Sequence, residues 1–292
     1  MTGLVVCFGL LTVDHLLVVD RLPRSNEKMV ASNSEVDFGG PAANAAAAAA
    51  VLGSSSRLVT AVGDGALATF AGVRLRSLGV DVRDLLAGEP GDPPISTILV
   101  TESTGERAVV SVNAAGVRAD LDPAGDELDG ADVLLLDGHH MSTAIRLARV
   151  AHDRGILVIL DGGSWKAGTE ELLKYAHIAV VSDDFRVPEI GDVLDYLSAA
   201  GCRAVASTAG GNPILGAVDG ERFEIAVPLV DHVVDTLGAG DTIHGALAHY
   251  LAENPTTSDF VSALHRAARI ASESCRFAGA HGWFDERRLR KA

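Results

Sequence analysis

The sequence predicts an α/β protein built on a doubly wound, mostly parallel sheet that is flanked by helices. Short runs of valine, leucine and isoleucine alternate with helical stretches along most of the chain. Such continuous apolar runs are typical of strands that are covered on both faces. Several helical stretches end in a glycine, as at Gly53, Gly79, Gly155 and Gly201, which is the usual residue after a helix. This alternation favours parallel strands joined by right-handed crossovers.

The individual elements follow from these runs. The predicted strands are Leu4–Phe8, Leu58–Val62, Val133–Leu136, Leu157–Leu160, Ile178–Val181 and Ala204–Ser207. The predicted helices are Ala43–Leu52, Gly65–Leu78, Thr143–Arg154, Thr169–Tyr175, Gly191–Ala200, Asp241–Ala252 and Asp259–Phe277. Alanine dominates the first helix, and because alanine is the best helix former and has a small side chain, we expect this helix to pack very closely.

Two regions interrupt the alternation and predict a second, small β-sheet. Residues 15–38 and 93–113 lack helical periodicity and contain alternating or β-branched runs. We therefore expect an α/β core made of residues 1–14, 39–92 and 114–292, and a β-sheet lid made of residues 15–38 and 93–113. An insertion of this kind is suited to cover a site. The expected lid strands are Leu16–Asp20, Met29–Phe38, Ile95–Thr101 and Arg107–Val112.

Composition excludes several partner classes. Lys and Arg number 24 against 39 Asp and Glu, a net charge of −15, which argues against nucleic acid and anionic membranes as partners. No apolar run reaches the roughly 18 residues of a membrane span. The three cysteines, Cys7, Cys202 and Cys275, have no metal-ligand spacing. We expect a cytoplasmic protein with reduced thiols that binds small molecules.

The run Asp235–Asp241, which reads Asp-Thr-Leu-Gly-Ala-Gly-Asp, predicts an anion site. A short strand expected at Val230–Val234 leads into it, and a helix follows. Small residues at a helix start expose backbone N–H groups, which together with the helix dipole bind anions. Asp241 would lie beside the anion, where a carboxylate is well placed to take a proton from an attacking hydroxyl. This combination suits phosphoryl transfer. The alternative is a tight turn in which Asp241 merely caps the helix.

A second run, Gly39-Gly40-Pro41-Ala42-Ala43-Asn44, opens the alanine-rich helix. Proline is favoured at the first helical position. The glycines allow a polyol to approach the backbone, and the Asn44 amide can both donate to and accept from hydroxyls. An ordinary loop and helix start, with Asn44 as a local cap, explains this run equally well.

Together these two runs resemble the signatures of the ribokinase-like (PfkB) family of sugar and nucleoside kinases, and the similarity covers essentially the whole chain. Asp235–Asp241 matches the family's C-terminal signature, and Gly39-Gly40 with Asn44 matches its N-terminal one. Within the family the chain is most similar to the ketohexokinase and sulfofructose kinase branch, on Gly105-Glu106-Arg107 and the run through Thr242. Sulfofructose kinases carry an arginine where His139 stands here, which weakens the sulfosugar interpretation.

The resemblance implies a role for each matching residue. Asp241 would be the general base, and the N–H groups of Gly238, Ala239 and Gly240 would form the anion hole. The sugar would be held by Asp14, Gly39, Gly40, Asn44 and Arg107. His139 does not match the family, but it follows a strand at its carboxyl end, where open α/β sheets bind ligands, and is a further candidate at the sugar; a capping or surface role explains it better. The nucleotide would be held by Thr208, Gly210, Thr236, Gly238 and Gly240.

Metal binding is where the chain departs from the family pattern. The family's Asn-x-x-Glu element, which is linked to Mg²⁺, should fall near Val181, but the chain reads Ser182-Asp183-Asp184-Phe185. Asp183 or Asp184 could serve Mg²⁺ through water, and a solvated strand end is the alternative. Asp235 could contribute to a monovalent-cation site for K⁺, as in ribokinase.

We therefore expect an ATP-dependent kinase that phosphorylates a hydroxyl of a small sugar, a ketose or a related compound, and that forms a homodimer through its lid. A nucleoside kinase on the same fold and a sugar-binding regulator without turnover are the alternatives. A nicotinamide-dependent dehydrogenase would need Gly-x-Gly-x-x-Gly after the first strand, and Gly9-Leu10-Leu11-Thr12 lacks it.

Overall fold

The computed structural model describes residues 3–112 and 120–289. The strands are β1 (Leu4–Phe8), β2 (Thr12–Val19), β3 (Asn33–Gly39), β4 (Ser55–Thr60), β5 (Val80–Asp84), β6 (Ile95–Thr101), β7 (Arg107–Ser111), β8 (Val133–Leu136), β9 (Leu157–Gly162), β10 (Ile178–Ser182), β11 (Ala204–Thr208), β12 (Ile214–Val218) and β13 (Glu221–Ile225). The helices are α1 (Pro41–Leu52), α2 (Ala66–Ser77), α3 (Met141–Asp153), α4 (Thr169–Leu173), α5 (Val193–Ala199), α6 (Ala239–Ala252), α7 (Phe260–Ser274) and α8 (Phe284–Leu289).

A nine-stranded sheet in the order β13-β12-β11-β10-β9-β8-β1-β4-β5 forms the core. The strands from β11 to β5 pair in parallel, whereas β12 and β13 add an antiparallel edge. From β1 the chain first moves outward to β4 and β5 and later returns on the other side through β8. The predicted doubly wound, mostly parallel sheet is thus confirmed, and its switch point lies between β1 and β8, where such sheets bind ligands.

A separate four-stranded sheet in the order β3-β2-β6-β7 confirms the expected small second sheet. Its central pair, β2 and β6, is parallel, and the two outer pairs are antiparallel. β2 begins at Thr12 and continues without a break to Val19, so Asp14, expected at the end of the core segment, lies inside a strand of this sheet. The expected junction at residues 113 and 114 falls outside the described residues, and the domain limits stay a prediction.

The prediction of a short strand at Val230–Val234 was wrong. This stretch is irregular, and Val233 and Val234 are exposed. The N–H groups of Val234 and Asp235 both donate to the carbonyl of Cys275, at 2.8 and 3.2 Å, so the end of this segment bonds to the residue after α7. Conversely, β5, β12 and β13 were not expected. β12 and β13 form a hairpin whose turn, Asp219-Gly220, has positive φ at both residues, as two-residue hairpins favour.

Apolar side chains bury the large sheet on both faces in two clusters. The alanine-rich α1 packs against α6, and Gly245 of α6 lies so close that a Cβ there would stand 2.4 Å from the carbonyl oxygen of Ala45. This confirms the expected close packing of α1. The three cysteines are free thiols. In the described ranges, no helix has the length and apolar character needed to cross a membrane.

The α1–α6 contact yields a stability prediction. Replacing Gly245 by alanine forces the two backbones apart, and we expect Gly245→Ala to lower the free energy of unfolding by about 1–3 kcal/mol, the usual cost of overpacking. The matched control is Gly72→Ala in α2, where the new Cβ meets only the mobile end of Arg76 and better helix propensity favours folding. Urea denaturation measures both variants, and equal stabilities would contradict the predicted close contact.

Candidate active site

Several of the predicted functional residues lie together at the carboxyl edge of the large sheet, at the start of α6. Gly238 precedes the helix with a φ of +72°, and a Cβ on it would lie 2.7 Å from the Cβ of Ala280. Both the conformation and the close approach therefore require glycine at this position. Ala239 N–H donates to the carbonyl of Thr236 at 3.3 Å. Among residues 3–112 and 120–289, no acceptor faces the N–H groups of Gly238 and Gly240, so this turn offers free donors to an anion.

His244 connects the turn to the large sheet. Its Nδ1 atom lies 2.7 Å from the carbonyl oxygen of Gly240 and 3.3 Å from the carboxylate of Asp161. Its Nε2 atom lies 3.2 Å from the carbonyl oxygen of Val180 in β10. The histidine therefore ties the first turn of α6 to β10. The sequence gives no signal for His244 or Asp161 as residues of the site, because only the fold brings them to the turn.

Asp241 lies in the first turn of α6, beside the free amides. Its Oδ2 accepts a hydrogen bond of 2.6 Å from the side-chain amide of Asn44. Burial raises the pKa of Asp241 to about 7, and the nearby charge of Asp161 adds to this, while the Asn44 hydrogen bond opposes it. A carboxyl group that titrates near neutral pH is well suited to accept a proton in catalysis.

The glycine pair Gly39-Gly40 leaves room for Asp14. A Cβ on Gly39 would stand 2.0 Å from the Asp14 carboxylate, and one on Gly40, which has a φ of +96°, would stand 2.4 Å from the carbonyl oxygen of Leu10. Asp14 accepts a hydrogen bond of 2.7 Å from Thr12, and burial raises its pKa. These residues, expected to bind sugar, lie where β2, β3 and α1 meet.

Asp137 follows β8, and both oxygens of its carboxylate accept hydrogen bonds from backbone N–H groups. Its carboxylate accepts from the N–H groups of Leu10, Ala42 and His139 at 2.8–3.1 Å. Burial works to raise the pKa of Asp137, but the charge and hydrogen bond of His139 outweigh it and lower the pKa. His139, expected at the sugar, thus lies with one nitrogen 3.2 Å from this carboxylate. Nothing in the sequence singled out Asp137 as a residue of the site.

A cavity of about 390 Å³ opens beside the turn at the start of α6. It brings together four of the residues expected at the nucleotide, Thr208, Gly210, Thr236 and Gly240, with Ala239. Its walls are aliphatic or small, which suits a flat apolar ring held by packing. The further lining residues are Gly211, Ile214, Val227, Pro228, Leu229, Val230, Val233, Ile243, Ala268, Ala271, Ser272 and Cys275.

Arg107 of the lid reaches the turn. Its guanidinium donates to Asp235 at 3.2 Å and to the hydroxyl of Thr236 at 2.8 Å. Asp235 also accepts from the N–H groups of Leu237 and Gly279, both at 2.9 Å. Both oxygens of the carboxylate expected at a K⁺ ion are therefore bonded to protein donors, one of them cationic.

The carboxylates of Asp183 and Asp184 are exposed at the end of β10. They supply the oxygen donors that Mg²⁺ takes together with water, so these residues fit a water-mediated role. Within the described part of the chain, no group of three or more His, Cys, Asp or Glu side chains could hold a metal by itself.

Three residues near the site, Asp37, Arg74 and His281, could not be identified from the sequence. Asn44 Oδ1 lies 2.9 Å from Nε2 of His281, and Nδ1 of His281 lies 3.4 Å from Asp37. Arg74 donates twice to Asp37, at 3.0 and 2.7 Å. These side chains come from β3, α2 and the loop before α8, and only the fold brings them together.

The family model described as "pfkB family carbohydrate kinase" matches residues 2–283. The chain belongs to this family. It is therefore a phosphotransferase with a sugar hydroxyl as acceptor.

Curated relatives agree with the family. The chain is 29% identical to an ATP-dependent ribose-1-phosphate kinase of Halopiger xanaduensis, over 90% of this chain and 88% of that one. It is 26% identical to a ribokinase of Bacillus subtilis, over 94% and 93%, and 23% identical to a ketohexokinase of Mus musculus, over 95% and 98%. The expected likeness to ketohexokinases is confirmed, and ribokinases are equally prominent.

Solved structures show the same fold. A putative ribokinase from Agrobacterium tumefaciens superposes with a TM-score of 0.85 at 25% identity, over 99% of this chain and 97% of that one. A ribokinase from Arabidopsis thaliana, solved with ribose and ATP, gives 0.76 at 22% identity, over 96% and 94%. This kinase thus has the ribokinase-like fold.

Gly240 offers a test of the anion turn. A Cβ there meets no atom within 4 Å, so Gly240→Ala should fold like the parent, but its methyl group stands at the cavity wall beside the free amides. We expect kcat/KM for ATP to fall by about tenfold to a hundredfold, the cost of a misplaced phosphate, with an unchanged Tm. Gly163→Ala, equally free of contacts but outside the cavity lining, is the matched control. Equal kinetics for the two variants would argue against a phosphate at this turn.

Proposed function

We propose that this kinase transfers the γ-phosphoryl group of ATP to a hydroxyl of a small sugar, a ketose or a related compound. The observation that carries the proposal is the juxtaposition of Asp241, whose pKa lies near 7, with the free N–H groups of Gly238 and Gly240. One group accepts a proton from an alcohol, and the other two hold a phosphate. Phosphoryl transfer from ATP to an alcohol needs both functions beside each other.

The reaction divides among the chain's own residues. The carboxylate of Asp241 accepts the proton of the sugar hydroxyl as that oxygen bonds to the γ-phosphorus. The bond from phosphorus to the bridging oxygen of ADP breaks, and ADP leaves with the electron pair. The N–H groups of Gly238 and Gly240 donate to the transferring phosphoryl oxygens. The N–H of Ala239, expected as the third donor, donates instead to the carbonyl of Thr236.

The sugar and the nucleotide approach from opposite sides of the turn. The sugar would lie beside Asp14, Gly39, Gly40 and Asn44, with Arg107 of the lid and His139 as further contacts. Lid closure would exclude water and so limit hydrolysis of ATP. The nucleotide would fill the cavity with its phosphates toward Gly240. Bound Mg²⁺ would offset the charge of the phosphates, and Asp183 and Asp184 would hold it through water. A K⁺ ion at Asp235 stays a prediction.

The substrate panel follows from the relatives. Ribokinase, ribose-1-phosphate kinase and ketohexokinase all occur among them, so ribose, ribose 1-phosphate, fructose and other ketoses are the first compounds to test, with a sulfosugar and nucleosides beside them. A nucleoside kinase is the second candidate, because a solved adenosine kinase from Sinorhizobium meliloti shares the fold at 19% identity.

ADP release on this panel tests the proposal. We expect one sugar to be turned over, with kcat/KM rising as the pH passes about 7, because only the carboxylate form of Asp241 accepts a proton. Asp241→Asn should lose roughly 10²–10⁴-fold while still binding the sugar. A protein that binds a sugar but forms no phosphosugar with any nucleotide would instead be a regulator, and turnover of a nucleoside alone would favour the second candidate.

We also propose a homodimer through the lid. Register places Val36, His15, Thr97 and Val110 in one row across the small sheet, and Val36 and Val110 are 49% and 69% exposed. Ile95 and Val112 belong to the same face by the alternation of side chains along strands, and both are exposed. An apolar sheet face of this kind usually packs against another surface.

Light scattering tests this interface. We expect a dimer for the wild type and a monomer for Val110→Asp, because burying the new carboxylate at the interface costs more free energy than the apolar contact contributes. Val109→Asp is the matched control, since Val109 is 58% exposed but points to the other face of the sheet. A monomeric wild type, or dissociation by both variants alike, would overturn this proposal.

A further inference from the structure

A chain of polar side chains links Asp241 to β3 of the lid, and the proposed function assigns a role only to its first two members, Asp241 and Asn44. Asp241 accepts from Asn44 at 2.6 Å, and Asn44 faces His281 at 2.9 Å. His281 in turn faces Asp37 of β3 at 3.4 Å, and Asp37 is paired with Arg74 of α2. The members span elements from β3 to the loop before α8, so this arrangement is a product of the fold.

We propose that His281, held by Asp37, is a positioning residue that fixes the orientation of the Asn44 amide and thereby keeps Asp241 in its proton-accepting form. This inference rests on the proposed role of Asp241 as the general base.

The orientation of the Asn44 amide decides whether a hydrogen-bond donor or an acceptor faces the carboxylate of Asp241. With its NH₂ group toward Asp241, the amide donates to the carboxylate and stabilises the charged form. In the flipped orientation Oδ1 would face Asp241 instead, and two acceptors would meet. An N–H at Nε2 of His281 opposes the flip, because it needs the amide oxygen on its own side. The histidine therefore selects the orientation that favours the carboxylate of Asp241.

The ring of His281 is itself held in place. Phe38 stacks on it with a centroid distance of 4.0 Å, and Phe284 stacks at 5.1 Å, both with ring planes 23° apart. Asp37 supplies the acceptor for Nδ1, so both ring nitrogens have an acceptor and both donate when the imidazole is protonated. Burial works to raise the pKa of Asp37, but hydrogen bonds from His281 and Arg74 outweigh it and hold the pKa well below its usual range, so this acceptor keeps its charge.

The surrounding charges make the Asn44 hydrogen bond important. Asp241 faces Asp161 and Asp137, which both disfavour its carboxylate, and His244, which favours it. His281 faces Asp14 in addition to Asp37. Asn44 and His244 are thus the two groups that stabilise the charged base against two neighbouring acids. Loss of the Asn44 donor should move the titration of Asp241 to higher pH.

Two variants of His281 separate positioning from packing. His281→Leu fills similar space without a donor, whereas His281→Gln retains an N–H that can reach Oδ1 of Asn44. We expect the acidic limb of kcat/KM to shift upward by about one pH unit in His281→Leu, a roughly tenfold loss below neutral pH that is recovered at high pH. KM for ATP should not change. His281→Gln should restore the parent profile, and Asp37→Asn should show a smaller shift in the same direction.

A second measurement needs no substrate. Because the pKa of Asp241 is raised on folding, the stability of the parent relative to Asp241→Asn should fall as the pH rises from about 4 and level off above about 7. In a His281→Leu background this decline should extend to higher pH. Urea denaturation across pH measures both pairs, so the titration of Asp241 is followed even in a protein that phosphorylates none of the sugars tested.

The outcomes are distinct. An upward shift in His281→Leu by either measurement, with rescue by His281→Gln, supports positioning through Asn44. Superimposable profiles for His281→Leu and the parent, or an equal loss in both His281 variants at every pH, would overturn it. Absence of sugar phosphorylation by the wild type counts against the proposed function, and the stability measurement still decides the inference about His281. Should His281→Leu not fold, Asp37→Asn decides by the same two measurements.

Discussion

The site depends on how the fold stabilises three neighbouring carboxyl groups, those of Asp137, Asp161 and Asp241, at the carboxyl edge of the sheet. Asp137 receives three backbone N–H groups, and Asp161 lies against His244. Among the described residues, Asp241 receives one hydrogen bond at its side chain, from the amide of Asn44. Buried carboxylates without enough donors take up protons: burial raises the pKa of both Asp161 and Asp241, whereas at Asp137 burial is outweighed by His139 and backbone donors, which keep its pKa low. The donors aimed at each acid therefore separate Asp137, which keeps its charge, from Asp161 and Asp241, which take up protons more readily.

The glycines of the site serve these acids as much as any ligand. A Cβ on Gly9 would lie 2.0 Å from the carboxylate of Asp137, and one on Gly39 would lie 2.0 Å from that of Asp14. Both acids occupy space that any other residue would fill. The sequence analysis assigned Gly39 and Gly40 to the approach of a polyol, and the structure adds a second constraint on them. Small residues here create room first for charged groups of the protein.

The sequence revealed the parts of the fold and site that are local. Alternating apolar runs predicted the core strands from β1 to β11, apart from β5, and the run Asp235–Asp241 predicted a turn with free amides. Context decided the rest. Val230–Val234 reads as a strand by composition, but its end bonds to the carbonyl of Cys275. His281 meets Asn44 across 237 positions of the chain, and no periodicity or spacing records such a meeting.

Net charge constrains how this kinase meets ATP. At −15 the protein repels a polyanion over distances up to the Debye length, about 8 Å at physiological ionic strength. Affinity must therefore come from donors at contact range, which the free amides of Gly238 and Gly240 provide. Arg107 adds a guanidinium beside Thr236 only because the lid brings it there. In the proposed reaction the lid would thus do more than exclude water: it would bring a guanidinium group, paired with Asp235, to the turn of an otherwise acidic protein.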